Sequence, residues 1–141
     1  MADNGADFMR SMSIATSGLR AQAGRMRVIS ENIANADSTP AKPGADPYRR
    51  KILSFSSEVD RELGISKLGI GRIKPDSSDF RLKYEPGHPA ADQNGNVKYP
   101  NVNPLVEMTD LREAQRSYEA NINVISASRR MIQRTLEILK S

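Results

Sequence analysis

The stretch LREAQRSYEANINVISASRRMIQRTLEIL, residues 111–139, sets Leu111, Tyr118, Ile125, Ile132 and Leu139 at intervals of seven, with Ile122 and Leu136 beside them. Apolar residues repeating every seven positions mark one line along a helix in a coiled-coil-like seam. The opposite end of the chain repeats the pattern with Met12, Leu19, Met26 and Ile33, while Phe8, Ala15 and Ile29 form the adjoining line and Gln22 breaks it. One such stripe is the core face of an ordinary amphipathic helix. Two of them, at opposite termini, point to helices that pair with each other or with copies of themselves, and so to assembly in preference to chemistry.

Working outward, the first helix is predicted to begin near Asp7, an acidic residue suited to a helix N-terminus, and to end near Asn35. The run Asn35-Ala36-Asp37-Ser38-Thr39-Pro40 is a stop signal. Gly18 and Gly24 each cost that helix about 1 kcal/mol relative to Ala and suit a closely approaching neighbour. The last helix is predicted to open after Pro104 and to continue nearly to Ser141, with Arg129, Arg130, Arg134 and Lys140 toward the end where cations suit the helix dipole.

Between the helices the pattern changes. Most of the prolines and glycines lie between residues 40 and 104, interleaved with short runs at 52–55, 68–73, 80–84 and 97–99 that read as strands of a small, mostly antiparallel β module. Asn94-Gly95 is a tight-turn signal. Gly69-Ile70-Gly71 reads as a strand interruption. The fold class is therefore α+β: long N- and C-terminal helices forming an axial, coiled-coil-like domain around a β-rich middle, divided as 1–36, 37–103 and 104–141.

Composition agrees. Only 38% of the 141 residues are hydrophobic and 5% aromatic, with no Trp, so the isolated chain should be marginal and should gain stability from neighbours. The net charge of +4 spreads evenly, with an excess of one, two and one positive charges in the three segments. A phosphate-binding surface concentrates its charge on one face, so nucleic acid is not an expected partner. The clusters Arg49-Arg50-Lys51 and Arg129, Arg130, Arg134 read as solvated edges of a strand and a helix. No basic start precedes an apolar stretch of the kind a cleaved secretory signal needs, and no run approaches the roughly 18 apolar residues of a membrane span, so neither a cleaved signal nor direct membrane insertion is expected.

Chemistry is not visible. There is no cysteine and a single histidine, His88, which leaves a zinc site almost without ligands. Asp92-Gln93-Asn94-Gly95-Asn96 has its glycine too early for a calcium loop, and Asn103 stands where a bidentate Glu is needed. No catalytic, metal-binding or cofactor-binding residues are assigned, and the chain is not expected to be an enzyme.

The segment Ser30-Glu31-Asn32-Ile33-Ala34-Asn35-Ala36-Asp37-Ser38 closely resembles the N-terminal signature of the bacterial flagellar rod and hook family. Tyr84-Glu85-Pro86-Gly87-His88-Pro89, with Gly95, Pro100-Asn101-Val102 and Glu107-Met108, resembles the proximal-rod branch of that family. Ser117-Tyr118-Glu119-Ala120-Asn121 resembles its C-terminal helix. The insertion rich in Pro and Gly before Pro47-Tyr48-Arg49 departs from many relatives and suits the same branch.

The resemblance implies a structural subunit of the flagellar proximal rod, exported through the flagellum's own type III apparatus into the periplasm. Implied partners are other rod proteins, copies of the chain itself and the adaptor joining rod to membrane ring. The expected subunit contacts are Met12, Leu19, Met26, Ile29, Asn32, Ile33 and Asn35 on the first helix, and Leu111, Tyr118, Asn121, Ile122, Ile125, Ile132 and Leu136 on the last. Asn32 and Asn35 also have a local reading, because an amide at a helix end can donate to freed carbonyls and Asn tolerates left-handed backbone. The rivals are a soluble coiled-coil adaptor, a secretion-needle-like component and a basic nucleic-acid binder.

Overall fold

The computed structural model describes the chain from residue 2 to residue 141. Helix α1 spans Ala2–Ala34, strands β1 and β2 span Lys51–Asp60 and Ile65–Pro75, β3 and β4 span Arg81–Tyr84 and Asn96–Tyr99, and helix α2 spans Pro104–Lys140. The α+β architecture anticipated from the sequence is present. Helix α1 starts earlier than the Asp7 signal suggested.

Each helix terminus has a local cause. Asn103 caps α2: its Oδ1 accepts the Leu105 N–H at 3.1 Å and its carbonyl accepts the Glu107 N–H at 3.0 Å, with Pro104 in the first helical position where its missing N–H costs nothing. At the end of α1, Asn35 Nδ2 donates to the Glu31 carbonyl at 2.9 Å, and Ser38 Oγ donates to the Asn35 carbonyl at 2.8 Å. The freed carbonyls are thus met by side chains. Among the described residues none other than glycine adopts a positive φ, so neither Asn uses left-handed backbone.

The β-rich middle is two separate two-stranded ribbons, β1 with β2 and β3 with β4. In the second, Arg81 faces Tyr99 and Tyr84 faces Asn96 across an antiparallel pair. After β2, the carbonyls of Asp76 and Ser78 accept from Arg49 Nη1, at 2.8 and 2.9 Å, and from Asn101 Nδ2, at 3.2 and 3.1 Å. Side chains satisfy this backbone, which therefore needs no strand partner. The Gly69-Ile70-Gly71 stretch does not interrupt its strand. It lies within β2, where a Cβ on Gly71 would stand 2.7 Å from the Ser54 carbonyl oxygen and one on Gly69 would stand 2.5 Å from Glu58 Oε1.

The chain divides into two units. One comprises α1 through Arg25, Ser54–Arg72 and Glu113–Ser141. In it the helices run antiparallel: Gly18 meets Asn121, and Arg25 Nη2 lies 3.6 Å from Glu113 Oε2. The buried residues of its seam are small or polar, namely Ala15, Gly18, Ala21 and Gln22 on α1 and Ala114 and Ser128 on α2. The first ribbon meets α1 by its edge, the Leu68 N–H donating to Ser17 Oγ at 3.2 Å and Arg10 Nε to the Leu63 carbonyl at 3.0 Å.

The other unit comprises Met26–Leu53 and Ile73–Arg112. Its core collects Val28, Ile29 and Ala36 from α1 and its following turn, together with Ala90, Val97, Pro100 and Val102. Two buried polar residues, Asn32 and Glu107, stand among them, each 1% exposed.

Candidate subunit interfaces

The two asparagines of the first motif do different work. Asn32 spends its whole hydrogen-bonding capacity inside the chain: Nδ2 donates to the Lys51 carbonyl at 2.9 Å and to Glu107 Oε2 at 3.2 Å, while Oδ1 accepts from Tyr48 Oη at 2.8 Å and from the Lys51 N–H at 2.9 Å. One side chain therefore ties α1 to β1 and to the first turns of α2. Arg50 Nε donates to Glu107 Oε1, and Arg50 Nη1 lies 3.2 Å from Asp76 Oδ2. A buried carboxylate without such partners would be costly; here it has a guanidinium and an amide.

The titration shifts follow this geometry. Burial pulls the Arg50 guanidinium down, but the hydrogen bonds and charges of Glu107 and Asp76 outweigh it and hold Arg50 above its ordinary value. The Tyr48 phenol is pushed up to about 12, first by burial and then by the charges of Glu31 and Glu107, so it stays a donor to Asn32. The Asp76 carboxyl is held below its ordinary value, first by the Ser78 N–H and also by Arg50. Arg49 and Arg50 are thus not solvated strand-edge cations. Arg50 is an ion-pair partner, and Arg49 lies 4.1 Å over the Phe80 ring besides binding two carbonyls.

The expected contact residues sort by their place around the helix seam. Ile29 and Asn32 are buried. Met12, Leu19, Met26, Ile33, Asn35, Leu111, Tyr118, Asn121, Ile125 and Ile132 are half-buried, while Ile122 and Leu136 are exposed at 40% and 52%. The centre of the seam in the unit holding Gly18 and Asn121 is therefore not the large apolar stripe. It is the neighbouring line of small residues, and the stripes flank it.

Helix geometry gives both stripes one side. At about 100° per residue, Met12 and Leu19 lie on one flank of α1 measured from Gly18, and Tyr118, Ile122 and Ile125 lie on the corresponding flank of α2 measured from Asn121. Because the helices are antiparallel, the two flanks share a side of the pair. The opposite flank of α1, at Ser17 and Ala21, is where the first ribbon lies. Together the stripes form a half-open apolar surface along the paired helices of this unit.

Sequence reading missed Glu107, Arg50 and Tyr48 as a cluster. The available signal was spacing: Glu107, Ala114, Asn121 and Ser128 lie seven apart on the small and polar line of α2, where an acid needs a cation. Among the described residues no helix is long and apolar enough to cross a membrane, and no group of three or more His, Cys, Asp or Glu comes together around a metal-sized site.

Comparison with known proteins falls on the same helices. Residues 12–41 match the family described as "Flagella basal body rod protein", and residues 93–138 match "Flagellar basal body rod FlgEFG protein C-terminal". The flagellar basal-body rod protein FlgC of Agrobacterium fabrum is 52% identical over 128 residues, covering 91% of this chain and 92% of that protein. The FlgC proteins of Bacillus subtilis and Salmonella typhimurium are 42% and 38% identical, covering 92% and 93% of this chain and 97% of each relative. The chain belongs to the FlgC family of flagellar basal-body rod proteins. It is a structural rod subunit of the flagellar basal body, assembling with other rod proteins and with itself. FlgC relatives are structural proteins and not enzymes, which suits a chain whose polar residues serve packing.

Proposed function

We propose that the chain is a subunit of the proximal rod that transmits torque through side-by-side packing of its terminal helices against neighbouring subunits. The observation that carries this reading is the pair of apolar stripes left half-open beside a closed, small-residue seam: the seam holds the subunit together and the stripes are free to hold subunits to each other. Leu19, Met26, Tyr118, Ile122, Ile125, Ile132 and Leu136 are the contact residues on this reading, with Met12, Ile33 and Leu111 continuing the stripes. Asn35 and Asn121 sit at their margins, whereas buried Ile29 and Asn32 act from within by fixing the helices that present them.

A rod under torsion gains from this arrangement, since load spreads over many helix contacts. Export through the flagellar type III apparatus, assembly in the periplasm and contact with the adaptor between rod and membrane ring complete the proposal. The absence of cysteine leaves no disulfide to obstruct passage of an unfolded chain.

The test is purification of basal bodies from cells whose only copy of the chain carries an affinity tag in the exposed segment 41–46. Recovery of the tagged chain in the rod, between the membrane ring and the distal rod, supports the reading. Recovery only in the cytoplasm or at the distal end contradicts it.

A further inference from the structure

The first ribbon has two unlike faces. Cβ positions built on Gly69 and Gly71 point at Ser56, Glu58 and Ser54, and Lys67 pairs with Asp60, so these residues share one broad face, flat and polar at its centre, with Ile52, Ile65 and Ile73 toward its ends by strand alternation. Strand alternation puts Phe55 and Val59 of β1 and Leu68, Ile70 and Arg72 of β2 on the other. All five are exposed, Val59 at 70% and Ile70 at 47%. The ribbon meets α1 through the backbone edge at Leu68, beside which Ser17, Arg20 and Ala21 share a cleft with Glu58, Lys67 and Gly69 of the flat face.

We propose that this ribbon stacks on the same ribbon of a second copy of the chain, apolar face against flat face, in a head-to-tail array. With no side chain at Gly69 or Gly71 and short ones at Ser54 and Ser56, the flat face is low, and the Glu58 carboxylate lies across it at Gly69. The charges agree in sign: Glu58 on the flat face and Arg72 on the apolar face have no ion-pair partner among the described residues, whereas Asp60 is already paired. Flat against flat would oppose two Glu58 carboxylates, and apolar against apolar would oppose two Arg72 guanidinium groups. The heterologous arrangement brings these two unpaired charges together, and a heterologous contact propagates into a ring or helix instead of closing as a dimer.

Area sets when the contact acts. Seven residues of a two-stranded ribbon present a face of roughly 24 Å by 10 Å, far below the roughly 800 Å² per partner of a stable complex. The stacking therefore forms only alongside other subunit contacts and fixes the orientation of neighbours without dimerising the free chain. It rests on the rod reading above.

The experiment exploits the cysteine-free sequence. Basal bodies are purified from cells whose only copy carries Ser56→Cys, Ile70→Cys or both, and are treated with a short bis-maleimide. The double variant is expected to yield trimers and higher species while neither single variant yields dimers. Dimers from either single variant, or no cross-linked species from the double variant, overturn the stacking; absence of the unsubstituted chain from basal bodies would instead overturn the rod reading. Should the cysteine variants fail to assemble, charge exchange decides: Glu58→Arg lowers the motile fraction at least tenfold and adding Arg72→Glu restores it. An unaffected single variant or an unrestored double variant overturns the proposal.

Discussion

Asn121 lies so close to Gly18 that a methyl group on the glycine would stand 2.7 Å from Asn121 Nδ2 and 3.1 Å from its Cγ. The absence of a side chain at Gly18 therefore sets how near α2 approaches α1. Bringing the helices together there shifts the seam from the large apolar stripe onto Ala15, Ala114 and their neighbours.

Gly18→Ala should accordingly destabilise the chain by about 1–2 kcal/mol, although Ala favours an isolated helix by about 1 kcal/mol. Combining it with Asn121→Ala removes the obstructing amide and should recover most of the loss. Urea unfolding of the four members of the cycle measures the coupling. Additive losses would mean that the two residues do not meet.

Asn32→Ala should cost about 3 kcal/mol or more, because the Lys51 N–H and carbonyl, the Tyr48 hydroxyl and one Glu107 oxygen all lose their partner in buried or half-buried places. Asn32→Asp should cost still more, since it sets a second carboxylate against Glu107. The shift in urea midpoint is the readout, and a loss below about 1 kcal/mol would remove Asn32 from the centre of its unit.

Tyr48 gives an alkaline signature. Its pKa is raised from 10.0 to about 12 in the folded chain. The unfolded phenol ionises first, so the stability associated with the neutral hydroxyl is fully present below pH 10 and is lost as pH rises from 10 to 12. Unfolding free energy should fall across that window in the natural chain, and Tyr48→Phe should be less stable at pH 8 by about 1 kcal/mol but flatter above pH 10. Equal slopes for the two chains would show that the phenol titrates as it does in water.

Seven-residue spacing was enough to read both helices and the α+β class, because long periodic segments carry their signal locally. Asn35 was legible as a helix stop for the same reason. The seam was not, since the spacing that singles out Leu19 and Tyr118 says nothing about whether they face the partner helix or flank it. That choice is made by Gly18 and Ala114, which allow close approach. Arg50 and Glu107 were illegible because their pairing joins residues 57 positions apart, and only the fold brings them together.

Ile122→Asp separates subunit stability from assembly. Ile122 is already 40% exposed, so the free chain should lose no more than about 0.5–1 kcal/mol, whereas a carboxylate desolvated at each subunit contact should stop rod assembly. The expected result is a folded, exported chain and non-motile cells without hooks. Normal swimming would take Ile122 out of the interface.

A map of the assembled basal body with side chains resolved tests the division between seam and stripe most directly. On the proposed packing Gly18 and Asn121 meet within one subunit, while Leu19, Tyr118, Ile122, Ile125 and Leu136 are covered by neighbouring subunits. Stripe residues facing solvent in the rod, or Gly18 of one subunit meeting Asn121 of another, would contradict it.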